Sequence, residues 1–131
     1  IGTLQRWKRI LGNSNNYELL IPNYHYEDLV KLHQMYGERD VVNPATIVDA
    51  NHSNSNKQFK EQIRIVKEVL HSRSLSPDIR NLVKGVMIES YLVEGTQKIG
   101  CQPHVYGQSI TDPCLGWEDS EALLYEIAER C

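Results

Sequence analysis

Three residues in this chain are of types that together hold a divalent metal: His52, Glu89 and Asp112. His52 closes the run ATIVDANH, Glu89 is the single charge in the apolar run GVMIESYL, and Asp112 lies in the stretch that follows, just before Pro113. Imidazole and carboxylate donors suit a divalent transition metal that keeps positions open for water or substrate. A lone carboxylate near the end of a buried strand needs a partner, a hydrogen-bond network or a metal, because isolated buried charge is costly. Spacing alone leaves blander readings standing, since no short pattern such as HExxH joins the three. In those readings the Ser/Asn cluster from Asn51 to Asn56 forms a turn and N-caps the next helix, with His52 helping to cap it. Glu89 then pairs with a basic residue, and Asp112 orders the turn before Pro113. His25, His33, His71 and His104 have weaker claims and are read as surface or packing residues. There is no Gly-rich phosphate loop, nucleophile elbow or CxxC pair.

The elements that must position these residues follow from the apolar pattern. Leu29, Leu32 and Tyr36 form a helical stripe ended by Gly37. ATIVDA reads as a short buried strand, β-branched and bounded by Pro44 and the Ser/Asn cluster. Phe59, Ile63, Val66, Val69 and Leu70 then mark one face of a longer helix. Ser76 and Pro77 open a short helix, SPDIRNLV, that Gly85 follows. GVMIESYL is the second strand, residues 93–111 form a long loop, and WEDSEALLYEIAER is a final helix with a stripe at Leu123, Leu124, Ile127 and Ala128. Residues 1–20 stay unassigned, although IGTLQRWKRIL has the pattern of a short amphipathic helix. The alternation predicts an α/β fold of parallel strands with crossover helices. Adjacent parallel strands deliver their carboxyl ends to one rim, where His52, Glu89 and Asp112 converge.

At 131 residues the chain is within the range of one domain, but two confident strands do not make a free-standing sheet of ordinary size. Fourteen basic against 17 acidic residues give a formal net charge of −3, with no strong global field for nucleic acid or anionic membrane. No run approaches the ~20 apolar residues of a membrane span. A cytoplasmic setting is expected. The three cysteines, Cys101, Cys114 and Cys131, are an odd number without paired metal-type spacing and are read as reduced thiols. The start at Ile1 and the ending AERC suggest a piece of something longer.

The strings DANHSNSNKQF, GVMIESYLVEG and YGQSITDPCLGWEDSEALL, with PNYHYEDL before them, resemble the carboxyl-terminal part of a type I 3-deoxy-D-arabino-heptulosonate 7-phosphate (DAHP) synthase over roughly Ile21 to Arg130. The resemblance implies that residues 21–131 are the C-terminal βα units of a (β/α)8 TIM-type barrel, incomplete in this chain. It implies condensation of phosphoenolpyruvate with erythrose 4-phosphate as the first step toward aromatic amino acids, in an enzyme expected to be a homo-oligomer. It also implies a divalent metal cation held by a cysteine, a histidine, a glutamate and an aspartate, the last three falling on His52, Glu89 and Asp112. His52 would further position phosphoenolpyruvate or water, and Asp112 would orient a water or hydroxyl. The family's cysteine ligand, its phosphate-clamping lysines and most arginines, and its KPRT-like motif have no counterpart here. The chain reads YELLIPNY where Leu-Arg-Gly-Gly commonly precedes PNY, and Asn51 and Ser53 stand where Ser and Ala are common. Cys101 and Cys114 do not match the missing cysteine. The chain alone is therefore expected to be inactive. The competing reading is a non-catalytic interaction module that self-associates or docks on a missing partner through open barrel edges.

Overall fold

In a computed structural model the structure describes residues 21–100 and 103–131; the amphipathic pattern read in IGTLQRWKRIL and Cys101 lie outside them. The first helix, α1 (Tyr26–Gly37), buries Leu29 and Leu32 and carries Glu27 and Asp28 in its first turn, where the helix dipole favours them. Strand β1 (Thr46–Asp49) turns Thr46 and Val48 into the core. Helix α2 (Glu61–Leu75) buries Gln62, Ile65, Val66, Val69 and Leu70 along one face, and α3 (Pro77–Leu82) follows after Ser76. The Ser76 hydroxyl accepts from the Ile79 N–H, with Pro77 at the first helical position, as SPDIRNLV predicts. Strand β2 (Val83–Met87) then runs parallel to β1, so a β-helix-helix-β crossover is present.

The second strand is two residues earlier than GVMIESYL suggests, because Val83 is buried, extended and paired with Thr46 instead of leaving a break for Gly85 to make. It also stops short of Glu89, since the β1–β2 register ends at Asp49 opposite Met87. The expected long loop contains β3 (Val93–Thr96) and β4 (Gln108–Ser109), which pair with each other. The last helix, α4 (Trp117–Arg130), packs Leu123 and Ile127 on the core, but Leu124 is 56 % exposed and Ala128 is exposed too. The Ser/Asn cluster does not cap α2. That helix begins at Glu61 behind Lys60, with no side-chain cap, because Asn51, Asn54 and Ser55 spend their polar atoms on the strand end and on one another.

Tyr24, Leu29, Val48, Ala50, Ile65, Val66, Val69, Ile79, Val83, Leu115 and Leu123 form one buried cluster between the helices and a single face of the β1–β2 pair. An apolar run such as ATIVDA signals burial on both faces. Among the described residues the helices cover only one, leaving Ile47 67 % and Met87 43 % exposed. By strand alternation Asp49 shares the uncovered face with Ile47. The described residues thus form an α/β unit without a closed barrel, and no helix among them is long and apolar enough to cross a membrane.

Candidate metal centre

At the carboxyl end of β1 the chain turns sharply through residues 51–57. One carboxylate organises the turn. Asp49 Oδ1 accepts the Asn51 N–H at 2.8 Å, closing an Asx-type turn two residues on, while Asp49 Oδ2 meets His52 Nδ1 at 2.8 Å. His52 itself sits at φ 44°, in the left-handed region, where histidine is enriched over most non-glycine residues. Such a conformation costs on the order of 1–3 kcal/mol and persists only where its surroundings hold it. Here the His52 carbonyl accepts the Lys57 N–H at 2.9 Å, and Asn54 reaches back to the Asp49 carbonyl at 2.7 Å. The Asn54 side-chain oxygen also accepts the Asn23 N–H, so the PNY segment is tied to the same turn.

With Nδ1 on Asp49, the hydrogen-bond pattern assigns the proton to that nitrogen in neutral imidazole and turns the unprotonated Nε2, with its lone pair, outward as a ligand atom. Nε2 lies 3.2 Å from Glu89 Oε1 and 3.7 Å from Asp112 Oδ2. One ligand atom from each of the three residues lies within 4.8 Å of the others. Atoms that share one cation at about 2.1 Å sit roughly 3–4 Å apart. The donor set and its spacing therefore fit a divalent cation. Without one, the three carboxylates favour the imidazolium: the hydrogen bond to Asp49 raises the His52 pKa most, burial opposes it, and the charges of Asp49, Glu89 and Asp112 add to the rise. Asp49→Asn is expected to bring the His52 pKa back toward 6.5 in an NMR titration of the metal-free chain. An unchanged value would remove Asp49 as the cause.

The remaining ligands are set by different elements. Glu89 leaves β2 with Asn51 Nδ2 donating to its Oε2 at 2.6 Å, and the Ser55 hydroxyl in turn donates to Asn51 Oδ1. Glu89 takes His52 and Asn51 where the bland reading gave it a basic residue. Asp112 hangs from the turn after β4, which Thr96 braces by donating to the Thr111 carbonyl at 2.8 Å. Gly95 and Cys114 exchange two backbone hydrogen bonds beneath it. Cys114 does not join the cluster: its thiol donates to the Asp112 carbonyl, and burial, with the nearby Glu89 and Asp112 charges, pushes its pKa up. Cys114 and Cys131 are free thiols. His25 pairs with Glu68 and His33 lies 3.9 Å from Asp78, both away from this rim.

Gly107 controls where β4 returns. It adopts φ +79°, and a Cβ placed on it would lie 2.8 Å from Leu92 Cβ. Its carbonyl accepts the Val93 N–H at 2.8 Å. Gly107→Ala is expected to cost more than about 1 kcal/mol, read as a lowered denaturation midpoint and faster exchange of the Val93 amide. Wild-type exchange at Val93 would contradict this account of the turn.

Sequence reasoning missed Asp49, Asn51 and Gln62. The signal for Asp49 was present as the aspartate three residues before His52 in VDANH. The others act through contacts between distant segments, Asn51 and Gln62 each reaching Glu89.

Comparison with known proteins bears on this centre. Residues 14–125 match the DAHP synthetase I family. The chain belongs to that family. It is 43 % identical over 111 residues to the Trp-sensitive phospho-2-dehydro-3-deoxyheptonate aldolase of Escherichia coli K12, covering 82 % of this chain and 30 % of that protein. A phospho-2-dehydro-3-deoxyheptonate aldolase of Haemophilus influenzae is 39 % identical over 109 residues, covering 82 % of this chain and 29 % of that protein. The solved phospho-2-dehydro-3-deoxyheptonate aldolase of Francisella tularensis SCHU S4 superposes with a TM-score of 0.76 at 34 % identity, over 84 % of this chain and 31 % of that one. The chain therefore spans about a third of the length of these DAHP synthase family relatives.

Proposed function

We propose that residues 21–131 are the C-terminal βα units of a (β/α)8 DAHP synthase, and that His52, Glu89 and Asp112 are three of its ligands to a divalent cation. The observation that carries this reading is the meeting of His52 Nε2, Glu89 Oε1 and Asp112 Oδ2 beyond the carboxyl end of a parallel strand pair. The uncovered face of β1 and β2 is then the barrel interior, with the missing strands on its open edge. The reaction is the condensation of phosphoenolpyruvate with erythrose 4-phosphate. A carbon–carbon bond forms between C3 of the enol phosphate and the sugar aldehyde, water adds at C2, and phosphate leaves. The cation, when bound, supplies Lewis-acid polarisation of the aldehyde carbonyl.

The chain's own residues bind and orient. Asp49 keeps the proton on His52 Nδ1, so that Nε2 faces the site. Asn51 engages one oxygen of Glu89, leaving the other for the cation. Asp112, 53 % exposed, directs a carboxylate oxygen into the rim where a water or hydroxyl is to be oriented. His52 further positions phosphoenolpyruvate or that water.

Both substrates carry phosphate, and the rim offers Asp49, Glu89 and Asp112. A phosphate charge about 4 Å from an uncompensated carboxylate is disfavoured by roughly 1–4 kcal/mol. The cations that would clamp it belong to the remainder of the barrel. Phosphate release from the two substrates by the isolated chain is therefore expected to be at background; turnover that depends on His52 would contradict the assignment of the clamp to other segments. The whole enzyme is read as a cytoplasmic homo-oligomer.

The exposed Ile47 and Met87 on one sheet face favour a second reading, a non-catalytic module that self-associates. Light scattering of the same preparation decides it, a monomer at all concentrations counting against it.

A further inference from the structure

Gln62 is fully buried in the first turn of α2, an uncommon place for an amide that spends both of its ends on a single distant residue. Its Oε1 accepts the Glu89 N–H at 2.7 Å and its Nε2 donates to the Glu89 carbonyl at 3.1 Å. The β1–β2 register has ended two residues before, at Met87, so Glu89 has left the ladder. Gln62 pairs with it as a neighbouring strand would, and the Leu115 N–H adds a second donor to the same carbonyl at 3.0 Å. From the other side, Asn51 holds Glu89 Oε2 at 2.6 Å, leaving Oε1 to face His52 Nε2.

We propose that Gln62 is a positioning residue for metal binding: its buried carboxamide, clasped on both backbone groups of Glu89, fixes the direction in which the Glu89 carboxylate enters the site with one oxygen free. An apolar side chain of equal length would fill the same space in the core, so space filling does not account for the amide. The inference rests on the metal reading above and adds to it a residue from the helix behind the sheet. Loss of the clasp leaves the Glu89 N–H unpaired and its carbonyl held by Leu115 alone, which loosens the carboxylate that must meet His52 and Asp112 around one ion.

Gln62→Met tests this in the purified 131-residue chain by Co²⁺ titration followed in the visible spectrum, with Val69→Ala as the control. Val69 is buried on the same helix about two turns further on, and its side chain has no hydrogen-bonding group to offer Glu89. Gln62→Met is expected to weaken Co²⁺ binding about tenfold or more, the usual effect of losing a ligand's supporting hydrogen bonds. It should also speed exchange of the Glu89 amide beyond what Val69→Ala produces. Val69→Ala should lower the melting temperature while leaving Co²⁺ affinity within about twofold. Should Gln62→Met fail to fold, Gln62→Asn keeps the amide but, one methylene shorter, no longer reaches both backbone groups of Glu89, and is expected to weaken binding in the same direction. In a Glu89→Ala background the Gln62 substitution should cost nothing further, since it acts only through Glu89. Wild-type Co²⁺ affinity in the Gln62 variants, or the same loss repeated without Glu89, would overturn the inference alone. A wild-type chain that takes up no Co²⁺ would overturn the metal reading and this inference with it.

Discussion

His52→Ala is expected to lower the affinity of the chain for Mn²⁺ or Co²⁺ by more than about 100-fold. Loss of a hydrogen bond that merely supports a ligand already costs 10–100-fold, so loss of the ligand itself should exceed that range. His52 is also the only nitrogen donor in the cluster, and without it the site becomes an all-oxygen one with weaker preference for transition metals. Glu89→Ala should come close in effect, since its carboxylate is the better enclosed of the two acidic ligands. Asp112→Ala should cost less, because that side chain is 53 % exposed against 27 % for Glu89 and water can take its place. The ordering is measurable by competition titration against a metal-binding dye. An Asp112 effect larger than that of His52 would mean that the imidazole is not the centre of the site.

A second large effect is predicted at Leu115, the residue where core and site meet. Its side chain is fully buried with Ile65, Val69 and Leu123, while its N–H donates to the Glu89 carbonyl and its carbonyl accepts from Tyr91. Leu115→Ala should therefore cost about 2–5 kcal/mol through lost apolar contact and a residual cavity. Against a total stability of roughly 5–15 kcal/mol for an ordinary domain, that is a large fraction. Leu124→Ala, at an exposed position on α4, should stay within about 0.5 kcal/mol. Urea denaturation of the two variants separates the cases, and equal midpoints would contradict the packing described. Leu115→Ala keeps the backbone N–H that donates to the Glu89 carbonyl, so metal affinity should fall far less than in the ligand variants.

The contrast between these two leucines marks how far the pattern of a sequence reaches. Leu115 stands in the irregular stretch DPCLGW, which no apolar pattern marks, whereas helical periodicity put Leu124 on the buried stripe; its exposure is decided by what packs against α4. The elements α1, α2, α3 and α4 were legible because caps and apolar faces are local signals, such as Ser76 before Pro77. β3 and β4 were not, since four and two residues with polar character carry no alternation to read, and their pairing brings together segments separated by Gly100 and its neighbours. The three candidate ligands were named from residue type and from the rule that parallel strands share a rim. What holds them was hidden. Asp49, Asn51 and Gln62 act across turns or between segments far apart in the chain, and a helix-capping role for the Ser/Asn cluster was the simpler local explanation.

The same comparison bears on strand burial. ATIVDA reads as covered on both faces, and the exposed Ile47 shows that the described residues cover one. In the barrel proposed above, the second face would be covered by the side chains of other strands.

The measurement that bears most directly on the centre is the visible spectrum of the purified chain titrated with Co²⁺ at neutral pH. One ion per chain is expected, with d–d bands that vanish in His52→Ala and, in Glu89→Ala, develop only at much higher Co²⁺ concentration. A wild-type chain that shows no Co²⁺ bands, or bands that persist in a variant lacking both His52 and Glu89, would contradict the assignment of these residues to a metal site.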